Sequence, residues 1–268
     1  MPIDIASPLP MAKSAQAALE KTFSACAADA ACRAAFPNLR DEFRQVLAQL
    51  DAGVRVSIPG RSDRVPLRRG RVVEWFRAQL YRPSTAANVP WLIHQAYKGH
   101  WSPMAEGILS QARGIDADLS FGLFFAITCN EDIAFVNEAD VEREMGGTFL
   151  GDYRLRQQQA ACKHWPRAAL PPDYRKPVRS SAPTLFVSGD MDGGSPLWFT
   201  EHVAAGFVDR AEVVLGGRGH TEWSDCVGRL YERFVSSGAT RGIDIAACAP
   251  VPRPPFKTSQ GWESTRTG

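Results

Sequence analysis

Two short loops hold residues able to move protons. One is Gly189-Asp190-Met191-Asp192-Gly193-Gly194-Ser195-Pro196, and the other is Gly216-Gly217-Arg218-Gly219-His220. The first offers two carboxylates and the second an imidazole. A carboxylate paired with an imidazole can fix its tautomer and stabilise the imidazolium, while the imidazole takes a proton from a hydroxyl nucleophile. The chemistry such loops suggest is therefore nucleophilic acyl transfer, with the acid before the base in chain order.

Strands must carry these loops. Thr184-Leu185-Phe186-Val187-Ser188 is a short apolar run between Pro183 and Gly189, and Glu212-Val213-Val214-Leu215 is a second one. Both have the composition of buried parallel strands. Helices are predicted over about 196–207 and 222–237, which gives a strand–helix–strand–helix series. In open α/β sheets the active site lies beyond the carboxyl ends of the strands, where both loops fall. Two strands do not make a stable sheet alone, so this unit calls for more strands than the chain supplies.

The preceding residues read as helical. Leu19, Phe23 and Cys26 form one face of a helix from about Met11 to Cys32. Pro37 breaks the chain, and Phe43, Val46 and Leu50 mark a second helix over about 39–50. A short strand is expected over 54–58, closed by a Pro59-Gly60 turn. Further helices are expected over about 70–81, 85–98, the very apolar 120–128 and the charge-rich 151–164. The basic run Arg61 to Arg71 reads as a solvated turn and helix start. The proline-rich stretch after Cys248 should be extended.

Composition excludes several classes. With 31 basic and 29 acidic residues the charges nearly cancel, which argues against a nucleic-acid partner. No run of apolar residues is long enough to span a membrane. The first residues, MPIDIASPLPMAK, do not read as a signal peptide. His and Cys do not cluster at zinc spacing, so neither a metal nor another cofactor is expected. Six cysteines, an even number, suggest disulfides, which persist in an oxidising compartment.

The segments PTLFVSGDMDGGSP, GGRGH, Cys226, Cys248 and PVPRPPF, with CAADAACRAAFP and AITCNED earlier, resemble the tripeptidyl-aminopeptidase-like branch of the α/β-hydrolases, related to proline iminopeptidase. The resemblance spans nearly the whole chain. It implies a partial α/β-hydrolase fold of class α/β: a mostly helical lid or cap over 1–178, then the last strands and helices of the parallel sheet over 179–268. By position it makes Asp192 the triad acid and His220 the general base, with Asp190 two residues too early. Gly193 stands where the family often has proline and Ser195 where it often has threonine, changes expected to loosen the acid loop. It also implies the disulfides Cys26–Cys32, Cys129–Cys162 and Cys226–Cys248, and an exported parent family, periplasmic or extracellular. Glu131, in Cys129-Asn130-Glu131-Asp132, is the carboxylate expected to hold a substrate's free amino end.

The nucleophile is missing from this pattern. The fold requires G-x-S-x-G on a sharp strand-to-helix turn, and no serine here has glycine on both sides at that spacing. Ser120 comes nearest but does not follow a buried strand. Cys129 has the right order before Asp192 and His220, although a disulfide to Cys162 is the preferred reading. MPIDIASPLP resembles the stretch just after the family's sixth strand, so the serine is expected upstream of Met1. The expected function is that of the C-terminal part of a serine exopeptidase acting on peptide or small ester bonds, inactive alone. The alternative is a non-catalytic lid-and-tail module that pairs with a separate N-terminal hydrolase half, or a nonfunctional remnant.

Overall fold

Helices α1 (Pro8–Ala28), α2 (Ala30–Ala35) and α3 (Leu39–Ala52) open the chain in the computed structural model, which describes residues 2–58 and 62–259. The single helix expected to Cys32 is therefore two. Asp29 turns the chain with an extended backbone, and its carboxylate accepts from the Cys32 amide at 2.8 Å, so it both stops α1 and caps α2. The Cys26–Cys32 disulfide spans the break.

Strand β1 (Val54–Val56) pairs antiparallel with β2 (Val65–Leu67). β2 was not anticipated: it lies inside the basic run, which is thus a strand before it is a helix start. Pro59, Gly60 and Arg61 lie outside the described residues. Then come α4 (Arg69–Gln79), α5 (Pro83–Ala86), α6 (Val89–Tyr97) and α7 (Ser102–Asp118). α8 (Phe121–Ile127) runs into a π-helical turn, Thr128–Asp132, and a 3₁₀ turn, Ile133–Phe135. α9 (Glu138–Met145) and α10 (Tyr153–Cys162) complete the helical half. Among the described residues no helix is long and apolar enough to cross a membrane.

One large core holds these helices together. Leu19 of α1, Val46 of α3, Phe76 of α4, Ile93 of α6 and Leu155 of α10 are each fully buried in it. Burial of each such side chain contributes roughly 1.5–3 kcal/mol. Phe43 is a hub, meeting the rings of Phe23, Phe76 and Phe149 edge-on at 5.8, 5.8 and 5.7 Å. The Cys129–Cys162 disulfide fastens the π-helical turn to α10. By contrast α8 buries none of its residues, and Phe121, Leu123 and Ile127 are exposed.

The remaining elements form a strand–helix series: β3 (Thr184–Gly189), α11 (Leu197–Ala204), β4 (Arg210–Leu215) and α12 (Asp225–Ser237). β3 and β4 pair in parallel, with Val187 opposite Val213, as their two-sided apolar composition predicted. Val213 and Leu215 pack on Val227 and Leu230 of α12 in a small second core. α11 is tied to β3 by the Ser188 and Thr200 hydroxyls, 2.6 Å apart. Among the described residues this sheet has two strands with both edges open, and Val187 and Val214 stay exposed on it.

The extended tail joins the two cores. Cys248 is bonded to Cys226 of α12, and the Val251 amide donates to the Gly216 carbonyl at 2.9 Å. Phe256 is then buried in the helical core, and the Lys257 amide donates to the Ala87 carbonyl at 3.1 Å.

Candidate active site

The two catalytic-type loops leave β3 and β4 at their carboxyl ends and are laced together there. The Met191 amide donates to the Arg218 carbonyl at 2.9 Å, and the Gly217 amide donates to Asp190 Oδ1 at 2.8 Å. Asp190 is therefore the clasp between the loops and not the partner of the imidazole. That partner is Asp192: Oδ2 lies 2.9 Å and Oδ1 3.2 Å from His220 Nδ1. A carboxylate only accepts, so Nδ1 carries the proton, and Nε2 is left as the basic nitrogen.

The acid is anchored by its own loop. Asp192 Oδ1 accepts from the Gly194 amide at 2.7 Å and the Ser195 amide at 2.8 Å, so the side chain closes the turn. The two departures from the family pattern fall in this closed loop, and Ser195 serves it through its backbone. The Asp192 side chain is only 7% exposed, against 33% for that of His220. The acid thus lies buried behind a partly accessible imidazole.

A third segment reaches this pair from the helical half. The turn after α4 inserts beside both loops, and glycines make room for it: a Cβ on Gly193 would lie 2.6 Å from the Leu80 carbonyl oxygen, and one on Gly219 would lie 2.2 Å from that of Tyr81. The His220 amide donates to the Tyr81 carbonyl at 2.6 Å, and the Tyr81 ring lies 5.0 Å from the imidazole. Nothing local in the sequence marks Tyr81 for this place. It is an aromatic at the end of a helix, met by the loops only through tertiary packing.

The other candidate residues sit elsewhere. Cys129 is fully buried and bonded to Cys162, so it offers no thiolate for catalysis. Ser120 caps α8, its Oγ accepting from the Leu123 amide at 3.4 Å. Glu131 lies on the π-helical turn and hydrogen-bonds Tyr174, an interaction that leads in holding the Tyr174 phenol above its ordinary pKa. Its neighbour Asp132 accepts from the Ser7 amide at 2.8 Å, and burial pushes its carboxyl up. All three disulfides have the pairing that the resemblance implies.

A cavity of about 40 Å³ lies against Asp192, lined also by Ser14, Thr22, Leu80 and Met191. It has room for water but is too small for a substrate.

Residues 147–247 match the family model described as TAP-like protein, and the match contains both loops. Within those residues the chain is similar to TAP-like α/β-hydrolases. The matched segment carries β3, α11, β4 and α12, a strand–helix series consistent with part of an α/β-hydrolase fold. No curated protein and no solved structure matches the chain.

Proposed function

We propose that Asp192 and His220 are the acid and base of a Ser-Asp-His triad, in a serine hydrolase of exopeptidase type that cleaves peptide or small ester bonds. The observation that carries this reading is the 2.9 Å contact from Asp192 Oδ2 to His220 Nδ1, made at the carboxyl ends of adjacent parallel strands inside a TAP-like segment. In the reaction, His220 Nε2 takes the proton from the serine Oγ as that oxygen attacks the carbonyl carbon. The imidazolium, stabilised by Asp192, then protonates the leaving amine or alkoxide, and water repeats the cycle on the acyl-enzyme.

The serine comes from polypeptide outside these residues, in an N-terminal hydrolase portion that packs on this one. Three observations support that reading: no G-x-S-x-G occurs in the sequence, the sheet has open edges, and Phe121, Leu123 and Ile127 lie exposed on α8. The helical region to residue 178 is the lid of the joined site, and Glu131 binds the substrate's free amino group there. Three disulfides fit an oxidising, exported location.

A fluorophosphonate probe tests this. The isolated chain should not label. Together with a hydrolase fragment that bears the G-x-S-x-G strand it should support labelling of that fragment's serine, and His220→Ala should abolish it. Labelling of the isolated chain would overturn the assignment of the serine to another segment.

A further inference from the structure

We infer that Tyr81 is the positioning residue of the dyad, clamping the His220 imidazole against Asp192, and that Arg77 holds the clamp closed. The inference rests on His220 being the base of the proposed triad. Three contacts converge on one residue. The Tyr81 carbonyl accepts from the His220 amide at 2.6 Å, fixing the backbone from which the imidazole hangs. The Tyr81 ring backs the imidazole at 5.0 Å, with the two planes tilted by 50°. The Tyr81 hydroxyl accepts from Arg77 Nη1, and the same guanidinium lies over the Tyr81 ring at 5.0 Å.

The imidazole needs such support. Asp192 has its own loop amides, but His220 sits where regular structure has ended. Thr221, directly after it, has a φ of 51°, a left-handed conformation costly for a β-branched residue and maintained only by its surroundings. One hydrogen bond at Nδ1 does not fix a ring that can turn about two torsions, whereas a bond plus an aromatic wall does.

Arg77 in turn is itself held. It is 8% exposed, and its Nε donates to Glu74 Oε2 at 3.1 Å, the same oxygen that Arg154 Nη1 of α10 meets at 3.3 Å. A path of direct contacts thus runs from α10 through Glu74, Arg77 and Tyr81 to His220 and Asp192. Tyr81 touches no reacting atom in this scheme. It sets where the base stands.

Nuclear magnetic resonance of the isolated chain reads the clamp without any hydrolysis. The His220 Nδ1–H should resonate far downfield and exchange slowly with water. The same proton of His94, bonded to Glu42 in the helical core, serves as an internal control for folding. Tyr81→Leu keeps the carbonyl and removes the ring. It should speed exchange at His220 about tenfold or abolish the signal, while His94 stays unchanged. Tyr81→Phe keeps the wall but loses its hydroxyl bond to Arg77, so exchange at His220 should fall clearly between wild type and Tyr81→Leu, and Arg77→Met should match Tyr81→Phe.

Unchanged exchange at His220 in Tyr81→Leu overturns the inference. If Tyr81→Leu unfolds the chain, as loss of the His94 signal would reveal, the two milder variants decide: wild-type exchange at His220 in both overturns it equally. Failure of every labelling assay would remove the proposed function but leave this readout in place. Unchanged His220 exchange alongside successful labelling would remove the clamp alone.

Discussion

Glu42 and His94 form a second carboxylate–imidazole pair, with Oε2 2.9 Å from Nδ1, yet this one joins two helices and faces no loop of the sheet. The same kind of contact that joins Asp192 to His220 beside β4 here serves packing between α3 and α6. Glu42→Ala strips the partner from a largely buried imidazole, and an orphaned polar group of that kind costs roughly 1–3 kcal/mol. Urea denaturation of Glu42→Ala should show that loss. His220→Ala, at a more exposed ring, should leave the midpoint nearly unchanged while abolishing complemented labelling.

The disulfides should rank by the loops they close. The Cys129–Cys162 bond spans 33 residues and Cys26–Cys32 only 6. In the chain-entropy model the first contributes roughly 4 kcal/mol and the second roughly 2 kcal/mol. Equilibrium denaturation of the two double-serine variants should give destabilisation in that order. A greater loss at the short loop would mean that the Asp29 turn depends on its bond for more than entropy.

Asp132 supplies a signed pH effect. Burial raises its folded pKa, against the opposing hydrogen bond from the Ser7 amide. Its favourable contribution is therefore complete in acid, where it is protonated, and is lost as the pH rises through the folded value. Asp132→Asn keeps an acceptor for Ser7 and never ionises. Its melting temperature should match wild type near pH 3 and exceed it by roughly 2 °C at pH 7. Equal melting temperatures at both pH values would show that the buried charge costs nothing.

Two glycines should respond oppositely to alanine. At Gly219 the new methyl would lie 2.2 Å from the Tyr81 carbonyl oxygen, so the turn or the loop must shift, at a cost of roughly 1–3 kcal/mol. At Gly114, inside α7, the methyl meets nothing within 4 Å and should stabilise the helix by roughly 0.5–1 kcal/mol. Thermal melts of both variants check the pair.

The parts of this fold that local patterns dictate were legible. β3 and β4 announce themselves as apolar runs cut off by glycine, and that context is what placed Asp192 and His220 on neighbouring loops. The split at Asp29 was hidden because Leu19, Phe23 and Cys26 continue a helical stripe up to the break, while the decisive event is one carboxylate capping one amide. β2 was obscured by charge: its burial rests on Leu67 alone, with arginines on either side. α9 carried an overlooked signal, Asn137 capping the Asp140 amide at 2.9 Å. Tyr81 had none to find, because its place depends on glycines far along the chain leaving room for it.

Phe256 gives the order of assembly a direction. It occupies a place in a core otherwise built from residues between Ala6 and Cys162. A ribosome will have delivered every helix of that core before Phe256 emerges, since β3, β4 and α12 are made in between. The place that Phe256 takes in that core therefore stays open until the tail is made. Phe256 thus completes a core whose other buried residues all precede β3, β4 and α12 in the chain, so that core can close only after the parallel pair has been made.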